Sequence, residues 1–314
     1  MGLILLAVAA AAPHAAAHMG YGIVADGRGG GGVTFFDVTG SHVWRREPDG
    51  RFRVLFSGVH GNTLVPGPDG SVYIEHFNSI LWRIDSQGRA SRVTIPGRSE
   101  RVGSLDEILA VDAQGRLYFA AGNDFRPQTP GLLRLERDGT LAPFAAGASW
   151  RGPKAGAWGP DGALYVTDGP RVRRVTLDGA VDDVTGASFS EPLGLAVDER
   201  KRVWVADSGH RRVCRVEDGR VTTVSTTEPP WLPVGVAVQG ETAFVLERAF
   251  DTGPLGKNAV RVVRLRADGT SEVLVTKSTR GPWPPVLTVG VTALALAVGG
   301  AWGLRGRLRR RRGR

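Results

Sequence analysis

The sequence predicts an all-β protein, a six-bladed β-propeller followed by a single C-terminal transmembrane helix. Three observations carry this. First, a tight turn before a short strand recurs six times, at Asp49-Gly50, Gln87-Gly88, Asp138-Gly139, Asp178-Gly179, Asp218-Gly219 and Asp268-Gly269, with the glycines 38, 51, 40, 40 and 50 residues apart. A period near 40 broken by two insertions is the pattern of a propeller array, and a sandwich has no reason to repeat six times. Second, most units carry an earlier turn and then a strand with an aromatic residue, at Tyr73, Tyr118, Tyr165, Trp204 and Phe244, with Phe36 in that place in the first unit. Third, residues 286–304 (VLTVGVTALALAVGGAWGL) carry no charge and are followed at once by arginines. Nineteen residues at about 1.5 Å each just cross a hydrocarbon core of about 30 Å.

The elements follow in order. Residues 3–12 (LILLAVAAAA) are an apolar core of signal-peptide length, Pro13 breaks it, and Ala15-Ala16-Ala17 offers small residues for cleavage. Residues 1–17 are therefore expected to be a signal peptide, with a mature chain starting near His18. Residues 18–276 are the propeller, built of Asp-Gly hairpins between short strands, as in RLERDGTLAPF and RVTLDGAVDDV. Residues 277–285 form a proline-rich linker, 286–304 the span and 305–314 an arginine-rich cytoplasmic tail. Arginines beside a span stay on the cytoplasmic side, which places the propeller outside the cytoplasm. Residues 21–26 either open the first blade or complete the sixth.

The formal charge of +9 includes the seven arginines beyond residue 304, so the rest of the chain carries only +2. A basic excess confined to a tail is not a nucleic-acid footprint, and nucleic acid is excluded as the partner. The tail would instead favour anionic lipid. Cys214 is the only cysteine, so neither an internal disulfide nor a cysteine-based metal site can form. Gly299 and Gly303 make a G-x-x-x-G stripe in the span, which would let two helices approach closely.

Residues 192–219 (PLGLAVDERKRVWVADSGHRRVCRVEDG) carry a Pro-x-Gly start, an Ala-Val-Asp turn, a strand ending in Asp, and then Ser-Gly-x-x-Arg. This unit resembles an NHL repeat, and GAWGPDGALYVTDGPRVRRV and PVGVAVQGETAFVLER match it more loosely. The resemblance covers about residues 22–275 and implies the propeller fold within the superfamily of gluconolactonase-like and senescence-marker-like propellers. It leaves function open, since such propellers include interaction platforms, sensors and enzymes.

The starts of the first strands and the loops between second and third strands share one face of a propeller, here called the loop face. Counting back from the aromatics places Asn62, Glu107, Lys154, Leu193 and Val234 at the starts; counting forward places His76, Ala121, Asp168, Asp207 and Glu247 in the loops. The insertions fall in the same loops, at residues 121–131 and 247–259. Binding candidates on this face are Asn62, His76, Glu107, Asp124, Arg126, Lys154, Asp168, Asp207, Glu247 and Arg248. Asp168 and Asp207 are expected to hold their own loops through backbone hydrogen bonds. A Glu107–Lys154 ion pair across neighbouring blades would satisfy both charges.

The favoured reading is a tethered propeller that binds a protein, peptide or glycan partner on this face. The alternative is a metal-dependent hydrolase or lyase of the gluconolactonase-like type acting on a small ester or lactone. Relatives of that type bind one divalent cation such as calcium, for which Asn62 and Glu107 are the candidate ligands. Leu193 and Val234 stand where further oxygens would be wanted. A zinc-binding trio of histidines, as in the amidating-lyase propellers, is not expected, with only His60 and His76 placed near the face and His42 and His210 elsewhere in their blades.

Overall fold

The computed structural model describes residues 22–26, 32–59, 61–76, 80–94, 107–121, 131–136, 138–250 and 257–280. They form six antiparallel four-stranded sheets, each made from four strands consecutive in sequence. Blade one holds β1 (Ile23–Ala25), β2 (Val33–Asp37), β3 (His42–Arg46) and β4 (Phe52–Ser57). Blade two holds β5 (Gly61–Pro66), β6 (Val72–His76), β7 (Ile80–Ile84) and β8 (Ala90–Val93). Blade three holds β9 (Glu107–Val111), β10 (Leu117–Ala121), β11 (Gly131–Leu135) and β12 (Leu141–Phe144). Blade four holds β13 (Pro153–Trp158), β14 (Leu164–Asp168), β15 (Arg171–Val175) and β16 (Val181–Asp183). Blade five holds β17 (Pro192–Val197), β18 (Val203–Asp207), β19 (Arg212–Glu217) and β20 (Arg220–Thr226). Blade six, the longest, holds β21 (Trp231–Gln239), β22 (Thr242–Ala249), β23 (Lys257–Leu265) and β24 (Ser271–Arg280).

The first strand of each blade lies next to those of the neighbouring blades, giving a ring β1-β5-β9-β13-β17-β21 around a central channel. Each first strand runs from the loop face to a face made of the hairpin turns. The turns work as the residue types demand. At Gly50, Gly88, Gly139, Gly179, Gly219 and Gly269 φ lies between 76° and 89°, a conformation open to glycine at no steric cost.

The first strand settles how the ring closes. Ile23 pairs with Phe35 and Ala25 with Val33, so residues 23–25 open blade one, and among the described residues no strand is exchanged with blade six. The seam is closed by side chains instead. Ile23 and Phe35 share one apolar cluster with Val234, Phe244 and Leu246. The Gln239 amide donates to the Asp26 carbonyl at 2.5 Å, and the Lys277 ammonium lies 3.7 Å from the centre of the Trp44 ring. At the neighbouring seam the backbones meet closely: a Cβ on Gly194 would lie 2.6 Å from Gly235 Cα, so this contact between blades five and six tolerates only hydrogen.

Four of the five second-strand aromatics are core, as their spacing predicts, and Tyr73 is half-buried against the cluster of blades two and three. Tyr118, Tyr165, Trp204 and Phe244 are nearly fully buried, and each pairs across the sheet with an arginine of the third strand. Blade one departs from the expectation. The ladder puts Thr34, opposite Arg45, in the place of the aromatic, and Phe36 falls two residues further on. Hairpin-face turns add a recurrent lock that joins turn to strand. Asp112 accepts from the Gln114 and Arg116 amides, the Arg116 guanidinium and the Tyr118 hydroxyl, and Asp198 does the same with Arg200, Arg202 and Trp204.

Three boundaries differ from the sequence expectation. β24 runs to Arg280, so the first four residues of the expected linker at 277–285 are strand. The second insertion largely lengthens β22 and β23, which pair out to Ala249 and Ala259. The extra residues between the second and third turns fall between β8 and β9 and between β10 and β11, and of these 95–106 and 122–130 lie outside the described residues. Residues 1–17, 286–304 and 305–314 lie outside the described residues, among which no helix is long and apolar enough to cross a membrane.

Candidate functional site

The second strand of several blades ends on the loop face with an acidic side chain, and the structure gives these acids one shared task. Asp168, 1% exposed, accepts from the Arg151 amide at 2.6 Å and the Gly152 amide at 3.0 Å, with the Arg173 guanidinium at 3.3 Å. Asp207, fully buried, accepts from the Ser190 and Glu191 amides at 3.0 and 3.1 Å, from His210 at 2.7 Å and from Arg212 at 3.0 Å. Each carboxylate thus fastens the chain entering its blade to the end of its second strand. Glu247 does related work with a longer arm, accepting from the Thr227 hydroxyl and from Arg261. Asp37 stands at the same place in blade one but holds the turn that follows it, accepting from the Thr39 and Gly40 amides and the Trp44 indole.

Asp37 has no signal in the aromatic spacing, because the aromatic Phe36 stands two residues beyond the ladder position that Thr34 fills. Counted from Thr34, it stands three residues forward, as Asp168 does from Tyr165 and Asp207 from Trp204.

The remaining candidates fall into three groups. Arg248, read as lining the face, is a buried side chain: alternation along β22 turns it to the opposite side of the sheet from Glu247, over the Phe250 ring at 3.6 Å. Burial pulls its guanidinium down to about 10, partly offset by the Asp37 carboxylate, and leaves it charged at neutral pH. Glu107 is half-buried at the head of β9, whereas Lys154 is exposed on β13 and forms no ion pair among the described residues, so the expected Glu107–Lys154 bridge is not made. Asn62 and His76 are placed by backbone alone, near the start of β5 and at the end of β6, where Gly61 pairs with His76. Asp124, Arg126 and His60 lie outside the described residues.

The histidines are a correction. His210 lies in the Ser208–His210 turn between β18 and β19, and His42 opens β3, so both are on the loop face. They do not converge. Each sits beside its own blade's acid, His210 on Asp207 and His42 near Asp37, in blades five and one.

A calcium-type centre at the strand starts would need six or more oxygens. Leu193 and Val234 are 2% and 0% exposed and belong to the apolar cluster of the ring seam, and Lys154 brings a positive charge to the third position. Among the described residues no group of three or more His, Cys, Asp or Glu side chains is placed to hold a metal ion. The described donors do not fit such a centre.

Fold and loop-face geometry together define a six-bladed β-propeller of the repeat type in which buried acids latch blades four, five and six to their incoming chain. The chain belongs to the SMP-30/gluconolactonase/LRE-like family, whose model matches residues 19–230. No curated protein matches it. Among solved structures it resembles virginiamycin B lyase from Staphylococcus aureus at 18% identity, with a TM-score of 0.52 over 82% of this chain and 84% of that one. It also resembles the calcium-binding protein regucalcin from Agrobacterium tumefaciens at 18% identity, with a TM-score of 0.54 over 73% and 81% of the two chains.

The latches set a pH dependence. Burial alone would raise the Asp207 carboxyl, but His210, the Glu191 and Ser190 amides and Arg212 outweigh it and hold it below the usual range; Asp198 is held down in the same way by Trp204 and Arg202. A carboxylate with a lowered folded-state value stabilises the fold above its unfolded value of about 3.9, and that stability is lost as pH falls further. Thermal melts should therefore hold steady from neutrality to about pH 5 and fall steeply below about pH 4. Asp207→Asn should flatten that acid limb, and an unchanged limb would rule out Asp207 as its source.

Proposed function

We propose that this chain is a membrane-tethered extracytoplasmic propeller that recognises a protein, peptide or glycan partner with the loops of its loop face. The observation that carries this is the fate of the acids. Asp37, Asp168, Asp207 and Glu247 are spent on holding loops in place, and the strand starts at Leu193 and Val234 are apolar core. A face built in this way presents rigidly anchored loops, which suits recognition. Tethering rests on the uncharged stretch 286–304 and its arginines; a pairing of two chains through Gly299 and Gly303, and contact of the tail with anionic lipid, belong to the same reading.

A second reading, a metal-dependent hydrolase or lyase, draws on family membership and on relatives described as a lyase and as calcium-binding. Elemental analysis of the purified full chain after exchange into metal-free buffer separates the two, with Glu107→Gln as control. The expected result is no stoichiometric divalent ion. One ion per chain that vanishes in Glu107→Gln would overturn the binding reading in favour of the enzyme.

A further inference from the structure

The channel opens on the hairpin face into a cavity of about 560 Å³, remote from every residue discussed as a loop-face site. That volume is in the range of small-molecule sites and too small for a folded partner. It exists because the first strands are lined with small side chains where they converge. Ala110, Ala157, Ala196 and Ala237 occupy the same ladder position in blades three to six, opposite Tyr118, Tyr165, Trp204 and Phe244, and all four line the cavity. Val24, Leu195 and Val236 complete an apolar wall. At the mouth stands Leu177, which is 50% exposed although large and apolar, in the turn between β15 and β16.

We propose that this cavity binds one small, uncharged, mainly apolar molecule that carries amide or ester groups. Charge is disfavoured by the lining. Its one carboxylate, Asp112, is consumed by Arg116, Tyr118 and two backbone amides. Hydrogen-bonding capacity comes from the backbone. Each first strand is the end strand of its sheet and has a ladder partner on one side only, so its other edge turns unpaired amides and carbonyls to the channel. Apolar side chains between rows of free backbone donors and acceptors suit a ligand with an apolar body and a few neutral polar groups.

The test is a fluorescence titration of the full chain with the uncharged dye Nile red. Saturable one-to-one binding with a blue-shifted emission is expected. Ala196→Leu/Ala237→Leu should weaken it at least tenfold by filling the cavity, and Leu177→Asp, a rim change that leaves the core intact, should weaken it severalfold. Lys154→Glu on the loop face should leave it unchanged. Absence of saturable binding, or equal binding by Leu177→Asp and by a cavity-filled variant that melts like the parent, overturns the proposal. Loss of binding in Lys154→Glu alone would overturn it and place the dye on the loop face.

Discussion

A chain from which residues 18–26 are deleted is expected to lose cooperative unfolding. The segment contributes β1, the innermost strand of blade one, and with it the only cover over the inner edge of β2. Ile23 and Val24 are 7% and 9% exposed, and burying such side chains contributes about 1.5–3 kcal/mol each. The deletion also removes the ladder to residues 33–35, the Asp26–Arg45 ion pair and the Gln239 bond that ties blade six to blade one. Because no strand is exchanged at the seam among the described residues, only side-chain contacts such as Phe35 against Phe244 and Lys277 over Trp44 would remain to hold the ring shut. The summed loss of about 5 kcal/mol or more is comparable with the whole stability of a typical domain. Urea titrations followed by tryptophan fluorescence should show a lower midpoint and a broader transition. A midpoint equal to the parent's would refute closure through β1.

The second large effect is expected at Asp207. Its carboxylate serves two amides, His210 and Arg212 from a fully buried position, and Asp207→Ala would strand those donors in the space it leaves. Removing one partner from a buried charged network costs about 3–5 kcal/mol, which lowers the melting temperature on the order of 10 °C in a domain of this size. Asp207→Asn keeps acceptor oxygen and shape and should lose less. Asp49→Ala, at an exposed hairpin turn, should change little. If scanning calorimetry gave Asp207→Ala the melting temperature of Asp49→Ala, the latch would be ornamental and the acid free for another role.

Much of the architecture was legible because it is local and repeated. A turn closed by glycine in this way needs a left-handed backbone wherever it occurs, and five Asp-Gly turns and one Gln-Gly turn at a period near 40 count the blades without any knowledge of their packing. The latch role of Asp168 and Asp207 was legible for the same reason, since in these two repeats the carboxylate at the end of the second strand meets the two amides that enter its blade. Where the repeat drifts, counting failed. Phe36 stands two residues past the aromatic position and masks Asp37; His42 and His210 lie on the loop face and not elsewhere in their blades; and Arg248, one step along the strand from Glu247, is turned to the other side of the sheet and buried.

The amino-acid order alone carries the blade number, the all-β class, the turn chemistry and the apolar stretch at 286–304, because each depends on neighbours a few residues apart. Only the assembled ring decides which charges are exposed, how the first blade meets the sixth, and that four alanines from four blades converge on one cavity. Those properties join residues as far apart as Asp26 and Gln239, and a contact across such a separation has no signature in either segment. It is made only once the run of first-strand contacts from β1 to β21 has brought the sixth blade beside the first.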